Sequence, residues 1–261
     1  MAAMNMPNTF YLERLIEHRM PKKPQEVAAA VGSAFDMMVK HHIHNLTGLP
    51  LDKEHVDKSV ETNVPEAMAA GRKLLSYYVR TSLNVNEYEW IERKLEGNLT
   101  HPDFPGVSIP VIGYGDAALK PVIPLDWKVS GYSSKMSPKP GYYRAWKDGK
   151  PKSRHDKYYE GMPMDEIDIS WALQLCIYGW LMGRPVGVAF PARIDQLTFD
   201  SGGNICVSNY LGIITPELQK ICFSRAALVW NSIQDGTFIR FLADQNNINL
   251  VLLAASDERW F

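Results

Sequence analysis

The sequence predicts an α/β domain with a central mixed β-sheet flanked by helices. Three observations predict it. Stretches of small and apolar residues without breakers occupy the first third of the chain, segments rich in β-branched and aromatic residues follow, and the length of 261 residues suits one large domain. The expected order is helices, three strands, a helix, two strands and a helix in a single domain spanning residues 1–261.

The first 24 residues read as an N-terminal helical extension, with an amphipathic helix over 8–19 that stops before Pro21. A helix is expected from about Pro24 to Ile43, through Ala28–Ala30 and Phe35, and another over 65–80. Residues 87–99, 107–119 and 122–130 read as strands, with Pro and Gly in the gaps between them. Residues 131–165 carry Gly, Pro, Lys and Tyr without a period and read as a basic aromatic insertion loop, of the kind that is functional when it interrupts a compact domain. Ile167–Met182 reads as a helix, with Asp165, Glu166 and Asp168 suited to its N-terminal dipole. Strands over 186–199 and 204–213 flank the turn Ser201-Gly202-Gly203. Thr215-Pro216-Glu217 then opens a helix to about Gln234, with Thr as N-cap and Pro at the first position. Residues 236–261 form a C-terminal tail of undetermined structure.

Composition excludes several classes. Hydrophobic residues make up 46% and charged residues 22%, which removes collagen-like, disordered and membrane-spanning chains. Cys176, Cys206 and Cys222 are too few for a four-cysteine cluster from one chain, so no iron–sulfur cluster is expected. The longest apolar stretch, Trp171–Gly183, is shorter than a membrane span and contains Gln174. The N-terminus lacks an apolar signal region, so a cytoplasmic protein with no membrane partner is expected. No Gly-Lys-Thr/Ser phosphate loop occurs, so no ATP is expected. Gly113-Tyr-Gly115-Asp-Ala-Ala superficially fits a dinucleotide fingerprint, but the strand expected after it stands where that motif needs a helix. His41, His42 and His44 lack a further clustered ligand and read as solvated histidines near a helix end.

The chemistry concentrates between Val107 and Gly131. Two apolar strands meet near Lys120-Pro121, and a hairpin centred there pairs positions whose numbers sum to 241 or 242. Asp116 then faces Asp126, or nearly so, with side chains roughly 5 Å apart. Two carboxylates that close repel unless a divalent cation joins them. Lys128 lies on the same face of its strand as Asp126, about 6.6 Å along it. Burying such groups costs free energy unless they are paired or metal-bound. An isolated Asp-x-Lys also suits an edge-strand ion pair; the opposed Asp116 sets this one apart.

These residues resemble a family. Gly113-Tyr-Gly-Asp116, followed by Leu125-Asp126-Trp127-Lys128-Val129-Ser130, is similar to the core of PD-(D/E)xK nucleases, especially the RecB-like, phage-type exonuclease branch. Gln174 and Tyr178, four apart on one helix face, match its Gln-x-x-x-Tyr element. Gly32-Ser-Ala-Phe-Asp36 matches its upstream Gly-x-x-x-His, with Asp in the place of the metal-binding His. Glu92 is the match for a glutamate on the preceding strand. The resemblance spans about residues 25–237. It implies a restriction-endonuclease-like core, Mg²⁺ or Mn²⁺ as cofactor, and a ligand shell from Asp116, Asp126, the Trp127 carbonyl, Asp36 and Glu92.

The same resemblance implies hydrolysis of DNA phosphodiesters by Asp116, Asp126 and Lys128, with exonuclease action in phage or bacterial recombination, repair or replication. Lys128 would orient the water or offset developing negative charge, and Gln174 and Tyr178 would line the DNA channel. The alternative is a catalytically silent nucleic-acid-binding or assembly module. The expected partners are linear DNA, with single strands among the candidate substrates, and a recombination or single-strand-binding protein; a phage-encoded chain would act in the bacterial host cytoplasm.

The formal charge of −1 hides an asymmetry. Residues 131–160 hold Lys135, Lys139, Arg144, Lys147, Lys150, Lys152, Arg154 and Lys157 against three acids, a net of +5, which leaves −6 for the rest. Tyr132, Tyr142, Tyr143, Trp146, Tyr158 and Tyr159 are interleaved with these cations. Cations attract phosphates and aromatic faces stack unpaired bases, so the stretch reads as a DNA-gripping element.

Overall fold

The computed structural model describes residues 26–58, 65–131, 146–147, 150–151, 157–199 and 203–235. The expected helix over 8–19, the turn residues Ser201 and Gly202 and the tail 236–261 lie outside them.

Helix α1 (Val27–Thr47) has no breaker except Gly32 and runs one turn beyond its expected end. Gly48 stops it in the left-handed conformation, φ 72°, with its N–H donating to the His44 carbonyl. A short α2 (Lys53–Lys58) follows, then α3 (Pro65–Thr81). Gly71 lets α3 approach α1: a Cβ there would lie 3.0 Å from the Ala34 Cβ and 3.1 Å from the Phe35 amide nitrogen.

The strands are β1 (Tyr88–Leu99), β2 (Ile109–Leu119), β3 (Ile123–Ser130), β4 (Trp146–Lys147), β5 (Lys150–Pro151) and β6 (Lys157–Pro163). A short α4 (Met164–Ile167) leads into α5 (Ile169–Leu181), and β7 (Phe190–Phe199), β8 (Ile205–Ile214) and α6 (Pro216–Gln234) complete the described chain. Thr215 is the expected N-cap and accepts from Leu218; the helix expected from Ile167 is split at Asp168, which caps α5 by accepting from the Ser170 and Trp171 amides.

The six-stranded mixed sheet has the order β1-β2-β3-β7-β8-β6. The β3–β7 and β6–β8 pairs are parallel and the others antiparallel. Residues 131–165, expected as loop, contribute three strands, and one of them joins the main sheet. β6 is an edge strand, parallel to β8, with a register shift between Glu160 and Pro163 and a Gly161 at φ 76°. That irregularity erases the alternation by which a strand is read from sequence.

Helices lie on both faces. Val31, Phe35, Val39, Leu74 and Tyr78 pack with Ile91, Ala117, Leu125, Trp127 and Leu197. Leu173, Cys176, Trp180, Leu218 and Phe223 pack with Leu99, Ile109, Ala192, Ile194 and Ile214. Ile194 and Leu197, of opposite parity on β7, belong to different clusters, so the sheet separates two apolar layers. Among the described residues no helix is long and apolar enough to cross a membrane.

Candidate metal centre

The site lies where two strands stop pairing. β2 pairs with β1 from Leu119 back to Ile109, but with β3 only over Ala117–Leu119 against Ile123–Leu125. Beyond Leu125, β3 pairs with β7 instead. The paired numbers sum to 242, the register the hairpin predicts, and its next step sets Asp116 against Asp126 at the fork. Arg184 pins the turn by donating to the Pro121 and Val122 carbonyls at 2.5–2.9 Å.

Two carboxylate–lysine clusters meet at Asp116. In the first, the Lys40 ammonium, 2% exposed as a residue, donates to Glu92 at 2.5 Å, Asp36 at 2.6 Å and Asp116 at 3.1 Å. Asp36 and Lys40 sit one turn apart on α1. Glu92 falls between the paired positions Ile91 and Arg93, with φ 40°, a left-handed conformation that a non-glycine residue adopts only when its surroundings impose it. His55 on α2 lies 3.4 Å from Glu92, and its ring stacks on Tyr114 with centroids 4.1 Å apart.

In the second cluster, Lys128 is ion-paired with the buried Asp126 and donates to the Gln174 side-chain oxygen at 3.0 Å. The Gln174 amide donates to Asp126 at 3.4 Å and to the Tyr178 hydroxyl at 3.0 Å. One glutamine thus contacts both Asp126 and Lys128 through its two ends. Trp127, between them in sequence, points to the other face. Its amide donates to Asp116 at 3.4 Å, and its ring N–H donates at 3.1 Å to Tyr78, which in turn donates to Asp195. Asp195 is fully buried and also accepts from Arg193 and Asn209.

The electrostatics follow from crowding. Burial, then the charge of Asp116, pushes the Asp36 carboxyl up to about 7, although Lys40 opposes it. Burial and Asp116 drive Asp126 well above the ordinary carboxylate range. Burial would raise Asp116 too, but Lys40, a hydrogen bond from Asp126 and Lys128 hold it down at about 2. Burial opposes the Lys40 charge, and Asp116, Asp36 and Glu92 more than restore it.

Fully ionised, Asp36, Glu92, Asp116 and Asp126 against Lys40 and Lys128 leave two negative charges in excess, the charge of one divalent cation. One oxygen from each of Asp36, Glu92 and Asp116 lies within 4.8 Å of the others, a hard, all-oxygen set of the type that suits Mg²⁺ or Mn²⁺. The Asp36 Oδ1 oxygen is buried and accepts no hydrogen bond among the described residues. On these two observations the residues fit a divalent cation.

The structure gathers Asp36, Glu92, Asp116, Asp126, Trp127, Lys128, Gln174 and Tyr178 at one place. No protein-family model, curated protein or solved structure matches the chain. Lys40, His55 and Tyr114 join this group unforeseen; the available signal was Lys40, four residues after Asp36 in an otherwise apolar helical turn. His41 and His44 turn to separate partners, Asp57 and the Leu49 carbonyl, so they form no shared site. Lys135, Lys139, Arg144, Lys152 and Arg154 lie outside the described residues, as do Tyr132, Tyr142 and Tyr143. Lys147, Lys150 and Lys157 fall in β4, β5 and β6, but only their backbone is described.

Proposed function

We propose that the chain is a Mg²⁺- or Mn²⁺-dependent DNA nuclease, with a restriction-endonuclease-like core and exonuclease action on linear DNA. The observation that carries this reading is the pair Asp116 and Asp126 opposed at the β2–β3 fork, with Lys128 held beside them by Gln174. A fold has little use for two opposed, largely buried acids unless a cation joins them.

Asp116, Asp126, Asp36 and Glu92 would hold the metal, which supplies a water that ionises near neutral pH and a counter-charge for phosphate oxygens. Asp116, whose carboxyl is held low at about 2, is the one that joins both clusters. Asp126 would join Asp116 in holding the cation, whose charge would favour the ionised carboxylate. Lys128 has three N–H donors, and its contacts with Asp126 and Gln174 leave a donor for a phosphate oxygen or the attacking water. Gln174 limits the lysine's rotamers and so fixes where that donor points. Tyr178 continues the same helix face. The basic aromatic stretch 131–160, whose charge of +5 stands next in sequence to Lys128, would grip the phosphate backbone and unpaired bases.

End-labelled linear duplex, single-stranded and closed-circular DNA incubated with Mg²⁺ or Mn²⁺ test this function. Loss of the linear substrates with survival of the circles is the expected result. Hydrolysis of none of them would remove the enzymatic reading.

A further inference from the structure

We propose that Lys40 is a resident cation of the carboxylate cluster and that a divalent ion binds there by displacing its ammonium. The inference rests on the metal-site reading above and adds what must leave when the metal enters.

The geometry is that of a site already filled by a cation. The ammonium directs its three N–H donors at three different carboxylates, on Asp36, Glu92 and Asp116, at 2.5–3.1 Å. These are the three residues whose oxygens cluster within 4.8 Å. A small divalent ion needs those oxygens at roughly 2.0–2.1 Å. It cannot share them with an ammonium, because the same oxygens and the same volume are taken. Lysine suits the exchange. It is a compact point charge on a four-carbon stem with several rotatable bonds, so the head group can withdraw while α1 stays in place. Without Lys40 the metal-free chain would lose the cation shared by three partly buried acids, a destabilising arrangement. Lys40 thereby holds the ligands together before metal arrives and weakens metal affinity by competing for them.

The test is Mn²⁺ binding by calorimetry and thermal unfolding with and without Mn²⁺, on the wild-type chain, Lys40→Met and Lys40→Arg. Lys40→Met should unfold at a lower temperature without metal, gain more from saturating Mn²⁺ than the wild type, and bind Mn²⁺ at least tenfold more tightly. Lys40→Arg, which keeps the charge, should bind no more tightly than wild type. Equal or weaker binding by Lys40→Met, with the wild type binding normally, would overturn the displacement and leave the metal site intact. Absence of binding by both chains would overturn the displacement and the metal reading together. Should Lys40→Met fail to fold, the wild-type chain still decides. The Lys40 ammonium protons, buried and slow to exchange without metal, should exchange freely with solvent under saturating Mg²⁺; unchanged protection would contradict the exchange.

Discussion

Asp116 and Asp126 stand one step beyond the last paired positions of β2 and β3, where burial and the Asp116 charge push the Asp126 carboxyl up. The hairpin register creates this juxtaposition. The separation of the two strands, β2 staying with β1 and β3 with β7, opens it to a ligand.

The first prediction concerns pH. The folded Asp36 carboxyl titrates at about 7 against 3.8 for the free group, chiefly through burial and the neighbouring Asp116. A raised acid is protonated in the fold and ionised in the unfolded chain between those values. The metal-free protein therefore loses stability as pH climbs from 3.8 to about 7 and loses no more from this group above that. Because a metal binds the ionised form, affinity should rise towards about pH 7 with proton release. Calorimetry in buffers of different ionisation enthalpy should show more protons released near pH 6 than near pH 8, and Asp36→Asn should flatten that difference.

Gln174 is predicted to act through position. Gln174→Leu keeps the size of the side chain but loses its contacts with Lys128, Asp126 and Tyr178. Supporting groups of this type are worth roughly 10–100-fold in activity or metal affinity. Cleavage rates should fall by that much while the thermal midpoint stays close to wild type.

The Asp195 network is predicted to be structural. Asp195→Ala takes the buried partner of the Arg193 guanidinium, which keeps its contact with Glu87, and removes the acceptor of Tyr78, at a cost of roughly 3–5 kcal/mol. Tyr78→Phe loses the link between Trp127 and Asp195, at about 1–3 kcal/mol. Urea unfolding of both variants checks the order.

Gly179 sets how closely α5, which carries Gln174 and Tyr178, lies on β7. A Cβ at Gly179 would come within 2.4 Å of two Phe190 ring carbons. Gly179→Ala should destabilise the fold by about 1–3 kcal/mol. By shifting the Gln174 helix it should also lower cleavage, and Phe190→Leu in the same chain should recover part of both.

Much of this was legible in the sequence. The apolar strands around Lys120-Pro121 gave the register sum, and with it the Asp116–Asp126 opposition. The helix start at Thr215 and Pro216 followed from capping chemistry. β6 was not legible, because Gly161 and the register shift before Pro163 break its alternation. The role of Lys40 was not legible either. Its partners Glu92 and Asp116 lie 52 and 76 residues away, and only the fold brings them together. The short α2 and its His55 escaped for a like reason, since six polar-rich residues carry no helical period.

The central claim, that Asp126 and Lys128 carry metal-dependent phosphodiester hydrolysis, is tested most directly by one measurement. Cleavage of end-labelled linear DNA is followed with Mn²⁺ and with chelator, for the wild-type chain, Asp126→Asn and Lys128→Met. The account predicts cleavage by the wild type only with the metal, and a loss of at least about 10²-fold in both variants while each remains folded. Full cleavage by either variant, or cleavage unaffected by chelation, would contradict it.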